Sequence, residues 1–208
     1  MNIGFMGGTF SPPHVGHLHS AKVFIEEMNL DRLIIIPAKV SPFKANSVET
    51  ASDMQRLEMA RLCFLPLDSK RCHVEVSEIE VSKNEISYTI ETVKKLKELY
   101  PDDELFMFVG SDMFLSLEKW RDFENIFREC HVYTRCRERN EEQIMFDAAE
   151  KYKKMYNAFI TLSKDREIIA SSTEVRQALT TKNIQSCQNL LTDEVLGYII
   201  KGGLYFEE

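Results

Sequence analysis

The stretch that decides the fold is NIGFMGGTFSPPHVGHLHSAKVFIEEM, residues 2–28. Its residues 3–6 form a short apolar run, closed by Gly7 and Gly8, that is typical of a buried strand. Beyond two prolines, apolar side chains recur at helical spacing over residues 15–28. Because glycine lets the backbone turn tightly, the stretch predicts a strand, a sharp loop and a helix in direct succession.

The rest of the chain repeats this alternation. Further strands are predicted at 32–38, 72–76, 104–110, 131–135 and 158–162. Helices are predicted at 52–64, 87–100, 140–156, 171–179 and 192–201. Strands that alternate with helices indicate an α/β fold with a doubly wound, mostly parallel sheet. We therefore expect a single domain, residues 1–208, with a small helical C-terminal part at about 171–201.

Composition narrows the classes of function. The chain carries a net charge of −7 at pH 7, which disfavours nucleic acid and anionic membranes, so neither is expected as a partner. No apolar run is long enough to span a membrane, and the first residues lack a signal-peptide pattern. Five scattered cysteines without a C-x-x-C pair favour reduced thiols and a cytoplasmic location.

The loop after the first strand has the features of an anion site. Ligands of doubly wound sheets bind beyond the carboxyl ends of the strands. His14 and His17 are three residues apart, so both lie on one face of the helix start, where N–H groups and the helix dipole attract phosphates. Neither G-x-G-x-x-G nor a P-loop is present. Two other interpretations are open. The histidines can be incidental residues of a turn, as we expect for His19, which faces elsewhere. They can also belong to a zinc site, although no third ligand lies nearby.

Two distant segments carry a family resemblance. GGTFSPPHVGHL, at 7–18, resembles the G-G-T-F-D-P-x-H-x-G-H signature of a nucleotidyltransferase superfamily, and SSTEVR, at 171–176, resembles its I-S-S-T-x-[IV]-R motif. Within that superfamily the chain resembles the nicotinate (or nicotinamide) mononucleotide adenylyltransferases. Four stretches carry this closer likeness: PAKVSPFK at 37–44, SYTIETV at 87–93, GSDMFLSLEKW at 110–120 and TRCRE at 134–138. The resemblance covers nearly the whole chain and implies a Rossmann-like nucleotidyltransferase fold.

The resemblance implies transfer of AMP from ATP to nicotinate mononucleotide, which gives nicotinate adenine dinucleotide and pyrophosphate in NAD biosynthesis. It implies catalytic roles for His14, His17, Lys44 and Arg176. The ATP-binding residues that it implies are Gly7, Gly8, Thr9, Phe10, His14, His17, Ser171, Ser172, Thr173 and Arg176. Mg²⁺ is expected on the ATP phosphates, with no metal site made by protein side chains alone. The other interpretation of 171–176 is an ordinary capped helix.

A second group of residues is implied for the acceptor. These residues are Ser87, Tyr88, Thr89, Gly110, Asp112, Trp120 and Arg135. Lys39 is expected beside them as a cation that the family pattern lacks, which either favours an acidic ligand or faces solvent. The Trp120 ring would stack on the pyridine, and Arg135 would bind a phosphate or the carboxylate of nicotinate. The ordinary alternatives are a core aromatic for Trp120 and a surface charge for Arg135. Asp112, Ser87 and Thr89 have helix capping as their alternative.

Several positions depart from the family pattern. They are Ser11 for Asp, Lys39 for Asn, Ser41 for Pro, Phe43 for His, and Cys136-Arg137 for Pro-Gly. Because most lie on acceptor loops, the same chemistry with nicotinamide mononucleotide, or less readily phosphopantetheine, stays open. A non-catalytic nucleotide-binding regulator is the alternative from another class, and only Ser11 favours it. The apolar tail LYFEE, at 204–208, can pack on the body or on a second copy, so a homo-oligomer also stays open.

Overall fold

The computed structural model describes residues 1–39, 51–82, 88–136, 141–165, 168 and 170–206. The strands are β1 (Asn2–Gly8), β2 (Arg32–Pro37), β3 (His73–Val76), β4 (Glu104–Val109), β5 (Cys130–Arg135) and β6 (Ile160–Ser163). The helices are α1 (Val15–Glu27), α2 (Asp53–Phe64), α3 (Thr89–Leu99), α4 (Ser111–Phe114), α5 (Phe123–Glu129), α6 (Glu142–Tyr156), α7 (Ser172–Thr180), α8 (Ile184–Cys187) and α9 (Asp193–Gly202). The predicted α/β fold is confirmed.

One parallel sheet holds the six strands in the order β3-β2-β1-β4-β5-β6. Strand β1 lies at its centre, with Phe5 opposite Ile34 of β2 on one side and Met107 of β4 on the other. The chain winds outward from β1 through β2 and β3, then returns and winds the other way from β4. This reversal opens a crevice beyond the carboxyl ends of β1 and β4, where such sheets hold ligands.

Hydrophobic cores cover both faces of the sheet. Along β1, Phe5 faces one core and Met6 the other, as strand alternation requires. The first core joins the sheet to α1, α2, α7 and α9, and the second joins it to α3, α5 and α6. Gly4 admits α1 closely, because a Cβ there would lie 2.3 Å from Leu30 Cδ1 and 2.9 Å from the Phe24 ring.

Three helix starts follow the predicted capping residues. Ser52 and Gln55 form the predicted capping box on α2. Ser171 accepts a hydrogen bond from the Glu174 N–H at the start of α7, and Thr192 caps α9 in the same way. A cap of this kind stabilises a helix by about 1 kcal/mol. Of these three helices, α7 is the one whose capped start lies at the crevice.

Other helix starts differ from expectation. Helix α3 has Tyr88 at its N-cap without a side-chain cap hydrogen bond, so Thr89 does not cap it. Ser87 and Asn140, two further expected caps, lie outside the described residues. The sequence pattern does not predict α4, α5 or α8, because these helices are too short for a helical period to show.

The C-terminal helices pack on the first core, and the tail follows them there. Leu204 and Tyr205 are buried in that core, so this part of the tail packs on the body of its own chain.

The cysteines are free thiols, and burial raises the pKa of Cys63 to about 12 and that of Cys72 to about 11. Within the described ranges, no helix has the length and apolar character needed to cross a membrane.

Candidate active site

A cavity of about 850 Å³ lies in the crevice beyond β1 and β4. Its walls come from the β1–α1 loop, the start of α3, the turn into α4 and the start of α7. The predicted site residues that line it are Gly7, Gly8, Thr9, Phe10, His14, His17, Tyr88, Thr89, Gly110, Asp112, Trp120, Ser172, Thr173 and Arg176. The fold thus brings most of the predicted nucleotide and acceptor residues into one space.

His14 and His17 hold each other at the start of α1. Nδ1 of His14 accepts from the His17 N–H at 3.4 Å, and Nδ1 of His17 accepts from the His14 N–H at 3.2 Å. The rings stack with centroids 3.7 Å apart. Since a neutral imidazole carries its proton on the nitrogen that does not accept, both rings carry it on Nε2. His19, by contrast, pairs with Asp165 at 3.0 Å and does not line the cavity.

Packing explains the glycine between the two histidines. A Cβ at Gly16 would lie 2.8 Å from the Ile168 carbonyl oxygen and 3.0 Å from His14 Nδ1. Gly7 is different, because a Cβ there would have nothing within 4 Å, and the residue lines the cavity. Gly16 therefore keeps the His14 ring close to its neighbours, whereas Gly7 leaves room for a ligand.

Phe10 adopts a backbone conformation that bulky residues rarely take. Its φ is 49°, in the left-handed region. Its ring is buried, with edge contacts to Phe64 and His17 at centroid distances of 5.3 Å each. Such backbone strain costs about 1–3 kcal/mol and clusters at ligand-binding loops. Burial of this one ring therefore holds the tight turn that leads into α1.

Arg176 joins α7 to the same loop. Its Nη1 donates to the Ser11 carbonyl at 2.6 Å, and its Nη2 donates to Thr173 Oγ1 at 3.2 Å. Ser172 Oγ donates to the Pro12 carbonyl at 2.8 Å. The two nucleotide motifs, distant in the sequence, are therefore hydrogen-bonded into one structure beside the cavity.

Arg56, which the sequence did not lead us to expect, supports the β1–α1 loop through a hydrogen bond to its backbone. Its side chain is 2% exposed, and its Nη1 donates to the Thr9 carbonyl at 2.7 Å. Its Nη2 pairs with Asp53 at 2.6 Å, and Asp53 also pairs with Lys39 at 2.6 Å. Burial alone would raise the pKa of Asp53, but the hydrogen bonds from Lys39 and Arg56 outweigh it and lower that pKa. The signal in the sequence is an arginine at a core-facing position of α2.

The side of the cavity that holds the predicted acceptor residues combines aromatic rings with charged groups. Trp120 and Tyr88 line the cavity, and the guanidinium of Arg121 lies over the Tyr88 ring at 4.7 Å. Asp112 accepts from the Met113 N–H at 2.9 Å and lies inside α4, so it is not the N-cap of that helix. Both aromatic rings are therefore placed where a flat base can contact them.

Further residues of the acceptor side were not expected from the sequence. Glu80 is 8% exposed, lines the cavity and accepts from Thr92 Oγ1 at 2.5 Å. Lys119 and Arg121 flank Trp120 and also line the cavity. This side of the cavity therefore carries one carboxylate and two cations, in addition to its aromatic rings.

Three predicted residues do not reach the cavity wall. Arg135 is 0% exposed and donates to Ser20 Oγ at 3.1 Å and to Asp165 at 3.0 Å, so it is neither a surface charge nor a direct ligand contact. Lys39 is bound to Asp53, and Ser171 uses its hydroxyl to cap α7. The remaining two predicted site residues, Lys44 and Ser87, lie outside the described residues.

Comparison with known proteins first identifies the class. The sequence profile of the cytidylyltransferase-like family matches residues 5–178, and the chain therefore belongs to that family. Both nucleotide motifs lie within the matched residues. They are joined by the hydrogen bonds from Ser172 to Pro12 and from Arg176 to Ser11.

Full-length relatives then identify the particular group. A Carboxydothermus hydrogenoformans protein with the name "Probable nicotinate-nucleotide adenylyltransferase" is 34% identical over 203 residues, which cover 98% of this chain and 97% of that protein. A Gemmatimonas aurantiaca protein of the same name is 32% identical over 209 residues, which cover 100% of this chain and 93% of that protein. The chain belongs with the nicotinate-nucleotide adenylyltransferases, so the resemblance seen in the sequence is confirmed.

Solved structures agree on the fold. The nicotinic acid mononucleotide adenylyltransferase of Plasmodium falciparum, complexed with NaAD, superposes with a TM-score of 0.77 over 98% of this chain and 97% of that chain. The same enzyme complexed with APC gives a TM-score of 0.73 over 98% of this chain and 96% of that chain. The identities are 20% and 19%, so the likeness establishes the Rossmann-like nucleotidyltransferase fold alone.

Proposed function

We propose that the chain transfers AMP from ATP to nicotinate mononucleotide, which gives nicotinate adenine dinucleotide and pyrophosphate. The observation that carries this proposal is a single cavity lined by both nucleotide motifs and by the aromatic acceptor residues. The names of full-length relatives support the activity, and so does the Plasmodium falciparum enzyme of the same fold, which was solved as a complex with NaAD.

The reaction is an in-line displacement at the α-phosphorus of ATP. An oxygen of the acceptor 5′-phosphate forms the new bond to that phosphorus. The bond from the α-phosphorus to the bridging oxygen breaks, and pyrophosphate leaves with the electron pair. Because the attacking oxygen is already ionised, neither a general base nor a covalent enzyme intermediate is needed. Positioning and charge stabilisation therefore supply the catalysis.

In this proposal the histidine pair stabilises the charge that develops during transfer. The Nε2–H groups of His14 and His17 are oriented before ATP arrives, so they donate to phosphate oxygens without further reorganisation. Arg176 lines the cavity with its guanidinium fixed through Nη1 and Nη2 by Ser11 and Thr173, and each of these two nitrogens has a second N–H that can donate to the β- and γ-phosphates, beside the N–H groups at the start of α7. A role for Lys44 as a further cation stays a prediction.

ATP enters this proposal as its magnesium complex, so Mg²⁺ is part of the substrate. Among the described residues, no three His, Cys, Asp or Glu side chains come together as a metal site. Phosphate oxygens and water are ligands that Mg²⁺ prefers. The cavity suits this form of binding, because its lining holds cations and hydroxyl groups that contact the complex through the phosphates.

The start of α3 favours an acidic acceptor. Its N-cap, Tyr88, makes no side-chain cap hydrogen bond in the part of the chain that the structure describes, and Thr89 in its first turn lines the cavity. The first N–H groups and the helix dipole therefore favour the carboxylate of nicotinate over the neutral amide of nicotinamide. Trp120, on the same side of the cavity, would stack on the pyridine ring.

Nicotinamide mononucleotide is the second candidate acceptor. Glu80 favours it, because a buried carboxylate in the cavity accepts from an amide and repels a second carboxylate.

A non-catalytic regulator is disfavoured, since a pure binder gains nothing from two histidines held in one tautomer. No nucleic-acid partner is proposed, and the homo-oligomer and the cytoplasmic location stay predictions.

Pyrophosphate release from MgATP with each mononucleotide tests the proposal, with the dinucleotide product identified by chromatography. We expect kcat/KM to favour nicotinate mononucleotide about a hundredfold, which corresponds to about 2.7 kcal/mol. Equal kcat/KM values for the two acceptors would show that the repulsion between Glu80 and the nicotinate carboxylate offsets the attraction of that carboxylate to the start of α3. Absence of product with either one would contradict the proposed reaction.

A further inference from the structure

The β1–α1 loop has a support that lies outside the nucleotide motifs. Helix α9 ends at Gly202, its C-cap Gly203 has a left-handed φ of 61°, and the Leu204 N–H donates back to the Ile199 carbonyl at 3.0 Å. The chain thereby turns back and buries Tyr205, which is 6% exposed. Tyr205 has a φ of 66°, a conformation that a bulky residue adopts only where its surroundings hold it.

The Tyr205 side chain reaches the nucleotide loop. Its hydroxyl and Ser11 Oγ are 2.9 Å apart, and Ser11 is 1% exposed. The carbonyl of Ser11 accepts from Arg176 at 2.6 Å. One residue of the loop is thus held twice, through its hydroxyl by the tail and through its carbonyl by α7.

The tail and α7 are also joined to each other. Thr180 Oγ1 lies 2.9 Å from the Arg176 carbonyl oxygen and 3.4 Å from the Tyr205 carbonyl oxygen. Ser11, Arg176, Thr180 and Tyr205 therefore form a closed ring of contacts. Hydrogen bonds linked in this way support one another in a buried site. Because only Pro12 and Pro13 separate Ser11 from His14, the ring restrains both Arg176 and the histidine pair.

We propose that Tyr205 is a positioning residue for nucleotide binding. Its hydrogen bond to Ser11 holds the β1–α1 loop and Arg176 in the arrangement that receives the triphosphate. This inference rests on the proposed function only in taking ATP as the ligand of the loop. Ser11 carries no charge in the place where the family usually has Asp, so its side chain holds the loop through this neutral hydrogen bond.

The test is calorimetric binding of the α,β-methylene analogue of ATP with Mg²⁺ to the full chain. Tyr205→Phe removes only the hydroxyl, and Ser11→Ala removes its partner. We expect each change to raise Kd about fivefold, as for loss of one neutral hydrogen bond, and the double variant to raise it no further. Tyr198→Phe on α9 is the matched control, since the Tyr198 hydroxyl makes no hydrogen bond within the described residues, and its Kd should equal that of the wild type.

A purely structural role would lower the melting temperature without changing Kd at an assay temperature where the protein is folded. Unchanged Kd for Tyr205→Phe, or multiplied effects in the double variant, would overturn the proposal. If Tyr205→Phe does not fold, Ser11→Ala tests the same bond from the other side. The assay needs no acceptor, so a wild type that binds the analogue but makes no dinucleotide refutes the proposed function alone.

Discussion

At the residue scale, the secondary structure itself orients the two histidines that we propose to be catalytic. His14 and His17 use Nδ1 to accept from backbone N–H groups of a helix start, and this leaves Nε2–H as the donor of each ring. The three-residue spacing is enough to predict that both lie on one face. It does not reveal that His14 is the N-cap, because histidine is not among the residues favoured there.

Gly16→Ala tests how closely this arrangement is packed. The added Cβ would contact the Ile168 carbonyl at 2.8 Å and the His14 ring at 3.0 Å. We expect a loss of stability of about 1–3 kcal/mol and, because the His14 donor is displaced, a fall in kcat of about tenfold or more. Chemical denaturation and steady-state kinetics measure the two effects.

Gly197→Ala is the matched control, because a Cβ at this exposed position of α9 has nothing within 4 Å. Alanine suits a helix interior better than glycine, so this change should stabilise by about 0.5–1 kcal/mol and leave kcat unchanged. Equal effects of the two substitutions on kcat would contradict the packing argument for Gly16.

At the scale of elements, helices with caps and strands with continuous apolar runs are predictable, and their contacts are not. The apolar runs of β1, β2 and β4 predict buried strands, and Ser52 with Gln55 predicts the start of α2. Nothing local indicates that Arg56, on the core face of α2, reaches the Thr9 carbonyl, because that contact depends on how α2 packs beside the β1–α1 loop.

The Asp53 network gives a prediction for pH. The pKa of Asp53 is lower in the folded protein than its ordinary value, so its ionised form stabilises the fold. This contribution is complete above the ordinary pKa of an aspartate and is lost as the pH falls through the folded pKa. Wild type should therefore be more stable than Asp53→Asn at pH 7, and the difference should shrink in acid.

Chemical denaturation across that pH range measures the difference in unfolding free energy between Asp53→Asn and wild type. Asp102→Asn serves as the control, because Asp102 is exposed and has no ion pair in the part of the chain that the structure describes. A difference for Asp53→Asn that stays constant into acid would show that the Lys39 and Arg56 contacts do not stabilise the ionised form.

At the scale of the whole molecule, the strand order makes the site. The reversal between β1 and β4 brings the β1–α1 loop, the loops that carry the predicted acceptor residues and the start of α7 to one cavity. Alternating strands and helices predict a doubly wound sheet, and the family motifs predict which loops meet. Neither predicts that Arg135 at the end of β5 is buried on Ser20 and Asp165, since this burial depends on how α1 and the segment after β6 pack beside β5.

The most direct test of the account compares AMP transfer to nicotinate mononucleotide by wild type, His17→Ala and His19→Ala under saturating MgATP. His17 lines the cavity, whereas His19 pairs with Asp165 outside it, so the two changes remove the same side chain two residues apart. We predict that kcat falls by about 10²–10³ for His17→Ala and changes by less than about twofold for His19→Ala. Equal rates for His17→Ala and wild type would contradict the claim that this cavity carries out the transfer.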